Sequence, residues 1–207
     1  MAGSLQAAID EAQRMAWDES IGYTFGGDGN PDSNGYDCSA FVIRCLYRAG
    51  YNVPAHRVGT QYMEPVLASA GFTIIPVTSN SQHPEPGDIV VMNHPLGQGG
   101  HTFFYMEDIR AYTDAGADSA NIDIVHKVKI EASSSRGHTQ QGDHRKNGNG
   151  AYWEVWCHAY YDLYDNEYHP TDPNDTIYYA RDPNGLDDSL GILLGSLLLW
   201  NKRRKLL

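Results

Sequence analysis

The chain has 207 residues, 41% of them apolar and 20% charged, so it can bury a core of its own and lacks the composition of a disordered segment. A formal net charge of −11 argues against nucleic acid as a partner, because such binders need a basic face to displace counterions. Uncharged, cationic and cell-wall substrates all remain open.

Met1 to Asp18 reads as an amphipathic helix carrying Leu5, Ile9, Ala12 and Met15 on one face. It has neither a basic n-region nor a long apolar h-region, so no secretory signal is expected there. Asp28-Gly29-Asn30-Pro31-Asp32 places oxygen ligands at alternate positions, as a calcium loop does. Asp28, Asn30 and Asp32 are the candidate ligands. The loop's sixth and twelfth positions hold Ser33 and Ser39 instead of glycine and glutamate, and an Asx-rich turn is the plainer reading. From Cys38 the apolar residues recur as Phe41, Val42, Cys45, Leu46 and Ala49, with Gly50 as the C-terminal stop, which predicts a buried helix starting at Cys38. At that place, unpaired backbone N–H groups and the positive end of the helix dipole favour a thiolate.

The three cysteines are an odd number, so at least one is free or paired with another chain. Cys38 and Cys45 stand roughly 10 Å apart along the helix axis, too far for a disulfide. Cys45 and Cys157 therefore read as core filling.

A shorter helix follows over Tyr62 to Ala70, with Pro65 in its first turns and Gly71 closing it. Phe72 to Val77 predicts a strand, Pro86-Gly87-Asp88 a turn, and Ile89 to Met92 a buried strand. A glycine-rich turn ending at Gly99-Gly100 leads into a strand over His101 to Met106. Glu107 to Asn121 is a polar excursion, Ile122 to Glu131 a strand, Ser133 to Gly150 a loop, and Tyr152 to Tyr161 an aromatic strand. Beyond Asp162 the pattern fades into Asp, Asn, Pro and Tyr. Residues 1–161 are thus expected to form the domain, and 162–207 a C-terminal extension. Helices followed by strands with hairpin-like turns predict an α+β fold with an antiparallel sheet. The apolar Leu190 to Trp200, followed by Lys202-Arg203-Arg204-Lys205, is too short to span a bilayer. It is either a helix folded back on the domain or a partner or interfacial contact.

A cysteine nucleophile needs an imidazole to exchange its proton, and the imidazole needs a polar group to orient it. Among nine histidines, His101 is the candidate base, since it opens a strand directly after a flexible Gly-Gly. A zinc site drawn from His94, His101, His138, His144 and His158 is the rival, although none of the usual ligand spacings occurs.

Asp37-Cys38-Ser39-Ala40-Phe41-Val42 and Gly100-His101-Thr102 resemble the two signature segments of the NlpC-type cell-wall peptidases, papain-like cysteine hydrolases related to the CHAP amidases. Gly22-Tyr23-Thr24-Phe25-Gly26-Gly27, Pro86-Gly87-Asp88-Ile89-Val90 and Ile130-Glu131-Ala132-Ser133 resemble further segments of that family, in the same order. The resemblance covers roughly residues 1–160. It implies a papain-like fold with helices packed on the sheet, Cys38 as nucleophile, His101 as base and Glu131 as third member. Tyr23, Asp37 and Ser39 would lie near the substrate or oxyanion.

Strict alternation from Ile122 places Glu131 with Asp123, Lys127 and Lys129 on the face that looks solvated. A bulge or a later strand start would turn it inward; otherwise His126 or an asparagine could serve. The resemblance implies a peptidoglycan hydrolase cutting an amide of the stem peptide, with a D,L-endopeptidase ahead of an N-acetylmuramoyl-L-alanine amidase. An inactive wall-binding module is the reading from another class. No cofactor is expected apart from the calcium candidate, and a phage lysin or virion-borne hydrolase is the expected setting.

Overall fold

The computed structural model describes residues 3–16, 22–27, 35–79, 82–93, 100–106, 109–112, 122–125, 128–133, 152–157 and 176–186. Two helices lead the chain, with two short strands between them. Helix α1 (Leu5–Ala16) buries Leu5, Ala8, Ile9, Ala12 and Met15, the stripe that its periodicity predicts. After the two-residue strands β1 (Gly22–Tyr23) and β2 (Gly35–Tyr36), helix α2 (Cys38–Arg48) is buried from Cys38 to Leu46. Gly50 closes it at φ +87°, and Tyr51 N–H bonds to the Leu46 carbonyl at 3.1 Å. Cys45 lies between the two helices with its sulfur 3.9 Å from that of Met15, the core role read for it; burial pushes its thiol well up.

The expected third helix is a 3-10 turn over Thr60–Tyr62 continuing into α3 (Met63–Ser69), with Pro65 at the third helical position, where no N–H is needed. Then come β3 (Thr73–Pro76), β4 (Ile89–Asn93), β5 (His101–Met106), β6 (Ile109–Tyr112), β7 (Ile122–Val125), β8 (Val128–Ser133), β9 (Tyr152–Cys157) and β10 (Thr176–Arg181). Six of these form one antiparallel sheet in the order β3-β10-β4-β5-β8-β9, and β6 pairs with β7 apart from it. The fold is α+β, as the element order predicts.

The sheet separates two apolar layers. Ile89, Val91, Phe104, Met106, Ile130, Ala132, Tyr178 and Ala180 pack with the helices, and Phe41 of α2 meets Phe104 edge to face at 6.3 Å. Val90, Met92, Phe103, Tyr105, Ile177 and Tyr179 form the second layer. Strand alternation fixes this division.

Two expectations are corrected. The strand foreseen over Ile122 to Glu131 is two strands, β7 and β8, paired with different partners. Nor does the sheet end at residue 161: β10, foreseen as part of an irregular extension, lies between β3 and β4. Its Ile177, Tyr178, Tyr179 and Ala180 are all buried, and burying such a β-prone run outweighs the polar character of its neighbours. Arg181 then grips the buried carboxylate of Asp88 at 2.8 and 3.0 Å and reaches Glu85 at 2.6 Å, pinning the turn at Gly87, whose φ is +90°. The Tyr51 hydroxyl donates to Asp182 beside it. Leu190 to Trp200, the foreseen partner contact, lies outside the described residues.

Candidate active site

The thiol is placed by a helix cap. Asp37 Oδ1 accepts the Ala40 N–H at 2.8 Å and the Ser39 hydroxyl at 2.8 Å, which fixes the start of α2 and makes Cys38 its first residue. Asp37 Oδ2 pairs with Arg57 Nε. The chain enters this cap through β2, which runs parallel to β1 in the register Tyr23↔Tyr36. A Cβ at Gly35 would stand 2.0 Å from Thr24 Oγ1, so only glycine allows the two segments to approach this closely.

Cys38 is 7% exposed, and its sulfur sits 3.9 Å from the Gly100 carbonyl. Gly100 has its own packing reason: a Cβ there would lie 2.3 Å from the Met92 carbonyl and 2.4 Å from Thr60 Oγ1. This tight seat brings the first residue of β5, His101, to the cysteine, close enough for the thiol to act on the charge of the ring.

His101 Nε2 lies 2.6 Å from Glu131 Oε2, and Glu131 is 1% exposed. The expectation of a solvated face for Glu131 is therefore corrected. The alternation itself holds in β8, with Ile130 and Ala132 toward the helices and Lys129 and Glu131 on the face of His101, Phe103 and Tyr105, but that face carries an apolar layer of its own and is buried. Lys129 is buried with it, Nζ 3.2 Å from the same Oε2 and 5.0 Å from the centre of the Phe103 ring.

Burial alone would push the imidazolium of His101 down. The Glu131 charge, the hydrogen bonds to Cys38 and Glu131, and the Cys38 charge outweigh it and raise His101 to about 10. Burial likewise works against the Glu131 carboxylate, but His101 and then Lys129 hold it down to about 2. Tyr23 is pushed up to about 12 by burial first, then by the negative charges of Cys38 and Asp37, with Arg57 opposing. Its hydroxyl is thus a neutral donor within electrostatic reach of the thiol.

Tyr23, Cys38, His101 and Glu131 are therefore brought together, from sequence positions up to 108 apart. Asp37 and Ser39, foreseen as substrate or oxyanion contacts, have a structural task in the cap. Their side chains are buried and bonded to each other within the cap, so they hold the helix start. The calcium candidates Asp28, Asn30 and Asp32 lie outside the described residues, as do His94, His126, His138, His144 and His158. Among the described residues no group of three His, Cys, Asp or Glu side chains is arranged to hold a metal ion. Sequence reasoning passed over Arg57 and Lys129. Their only signal was a basic residue near a motif segment in an acidic chain.

The NlpC/P60 family matches residues 21–154, well over half of the chain and all four converging residues. The chain belongs to the NlpC/P60 family. Members of this family are cysteine peptidases acting on peptidoglycan, and the α+β fold described above is consistent with their papain-like architecture. Among curated proteins, none matches the chain. The family match ends before β10, which nevertheless occupies an inner position of the same sheet.

Proposed function

We propose that this NlpC/P60 protein hydrolyses an amide bond of the peptidoglycan stem peptide, with Cys38 as nucleophile, His101 as acid and base, and Glu131 as the group that orients and charges the imidazole. The observation that carries this reading is one imidazole shared between a thiol at a helix start and a buried carboxylate 2.6 Å away.

In the proposed cycle the Cys38 thiolate adds to the amide carbonyl. The oxyanion is met by the Cys38 backbone N–H, free at the first helical position, and by the Tyr23 hydroxyl. His101, an imidazolium in the resting pair, gives its proton to the departing amine as the C–N bond breaks and a thioester remains. The now neutral His101 takes a proton from water, the hydroxide adds to the thioester, and the acid leaves as the C–S bond breaks. Thiolate and imidazolium are thereby restored.

Within this reading we favour the bond between the D-glutamyl residue and the diamino residue, on the resemblance of the motif segments to the NlpC-type enzymes. Mass spectrometry of digested wall is the test: the new amine should appear on the diamino residue. A new amine on L-alanine would convert the assignment to an amidase. If Cys38→Ala retained full lysis, the nucleophile would be misassigned. If a chelator abolished lysis while iodoacetamide did not, metal chemistry would replace it. The phage-lysin or virion-borne setting belongs to the same proposal, and clearing of intact cells by added protein tests it.

A further inference from the structure

A carboxylate as third residue creates a charge problem. In the resting state proposed above, thiolate, imidazolium and carboxylate sum to −1 in a site where Glu131 is 1% and Cys38 7% exposed. An unbalanced charge in such surroundings is strongly disfavoured. Lys129 stands two residues before Glu131 on the same strand face, and its ammonium meets the Glu131 oxygen that His101 also uses. Its side chain is 10% exposed, an unusual place for a lysine unless its charge is needed. The stem lies against the second layer, with Nζ over the Phe103 ring, whose other neighbour is His101 at 5.8 Å between centroids.

Two other acidic residues bear on the charge count. Asp37, on the helix side, already has Arg57. Glu154 stands opposite Glu131 in the β8–β9 register. Among the described side chains around the imidazole, Lys129 is the cation that brings Cys38, His101 and Glu131 to neutrality.

We infer that Lys129 is a positioning residue of the site: the buried counter-ion that allows a glutamate to serve as partner of His101 without leaving the thiolate–imidazolium pair with a net negative charge. It acts through Glu131 and touches no reacting atom. The inference rests on the assignment of Cys38, His101 and Glu131 above.

Charge balance makes a demand that simple packing does not. Removing the cation should do most harm while the carboxylate is present, and little once Glu131 is neutral. The test compares wild type with Lys129→Met, Lys129→Arg, Glu131→Gln and the double variant Lys129→Met/Glu131→Gln. Two quantities are read at neutral pH: kcat and KM on purified peptidoglycan fragments, and the iodoacetamide labelling rate of Cys38, followed by peptide mass.

Lys129→Met should lower kcat and the labelling rate about tenfold with KM little changed, while Lys129→Arg stays within about twofold of wild type. In the Glu131→Gln background the same loss of Lys129 should cost less than about threefold, a coupling typical of groups in direct contact. Equal losses in both backgrounds, or a Lys129→Met protein as reactive as wild type, would overturn the inference. Should Lys129→Met not fold, the comparison of Glu131→Gln with the double variant decides alone. Labelling needs no substrate, so failure to cleave peptidoglycan together with intact labelling coupling would defeat the substrate assignment and leave the role of Lys129 standing.

Discussion

At the start of α2 the carboxylate of Asp37 is matched by an arginine whose side chain is 38% exposed, whereas on the sheet Glu131 is matched by a lysine only 10% exposed. Both carboxylates are themselves buried. The helix side holds its charge at the rim, where water can take the place of a lost guanidinium. The sheet side holds its charge against an apolar layer, where water has much less access. Disturbance of the first should be partly repaired by solvent, and disturbance of the second should pass directly into the imidazole.

The largest test of this contrast lies below both regions, in the strand that supports the sheet. Ending the chain before Thr176 would expose the facing edges of β3 and β4, so no cooperative unfolding transition is expected by calorimetry. The milder Arg181→Met leaves Asp88 buried without its cation and should cost about 3 kcal/mol, read from denaturant midpoints. A shift within error would mean that the Pro-Gly-Asp turn is held by other contacts.

Next in size are the reacting groups. Cys38→Ala and His101→Ala should each lower kcat by at least about a thousandfold with the fold retained, and combining them should add little, because the two act as one unit. Additive losses would break the pairing across the helix–sheet boundary.

Glu131→Gln probes the sheet side by pH. His101 is raised above its usual 6.5 to about 10, so the imidazolium needed for the leaving amine persists through neutrality and is lost as pH rises through that value. Without the carboxylate, the alkaline fall of kcat should move toward neutral pH, and kcat should drop by on the order of a hundredfold. The same pair acts on stability. Its contribution is full between about 4.5 and 6.5. It is lost upward as pH passes about 10 and downward as pH approaches 2, the value to which Glu131 is lowered. A wild-type stability profile flat across pH 7 to 10 would contradict that assignment.

The smallest effect should come from the helix side. Arg57→Gln keeps the Asp37 cap and gives water access to Oδ2, so a cost of about 1 kcal/mol and a less than tenfold fall in kcat are expected. If Arg57→Gln proved as damaging as Lys129→Met, the contrast between rim and interior would not hold.

How far the site was legible varies residue by residue. Cys38 could be read because helix periodicity and a following glycine are local signals. His101 could be read because a Gly-Gly before a strand is local too. Glu131 carried the right motif position on the face that alternation gives it, but that face looked solvated because its own strand supplies charged residues there, and the apolar cover comes from β4, β5 and β10. For β10, the Asp, Asn and Pro residues around Thr176 to Arg181 obscured a short run of strand formers. Asp37 and Ser39 were placed correctly beside the cysteine, but their hydrogen bonds turn out to point into the cap.

By itself the sequence determined the helices, most of the strands, the α+β class and the two residues that start their elements at the site, because propensity, capping and hydrophobic period act over a few neighbouring positions. Tertiary structure decided which charges meet: Asp37 with Arg57, His101 with Glu131 and Lys129, and Asp88 with Arg181. Each of those pairs depends on strand register and loop placement, and a buried charge is settled only when every side chain around it is in place.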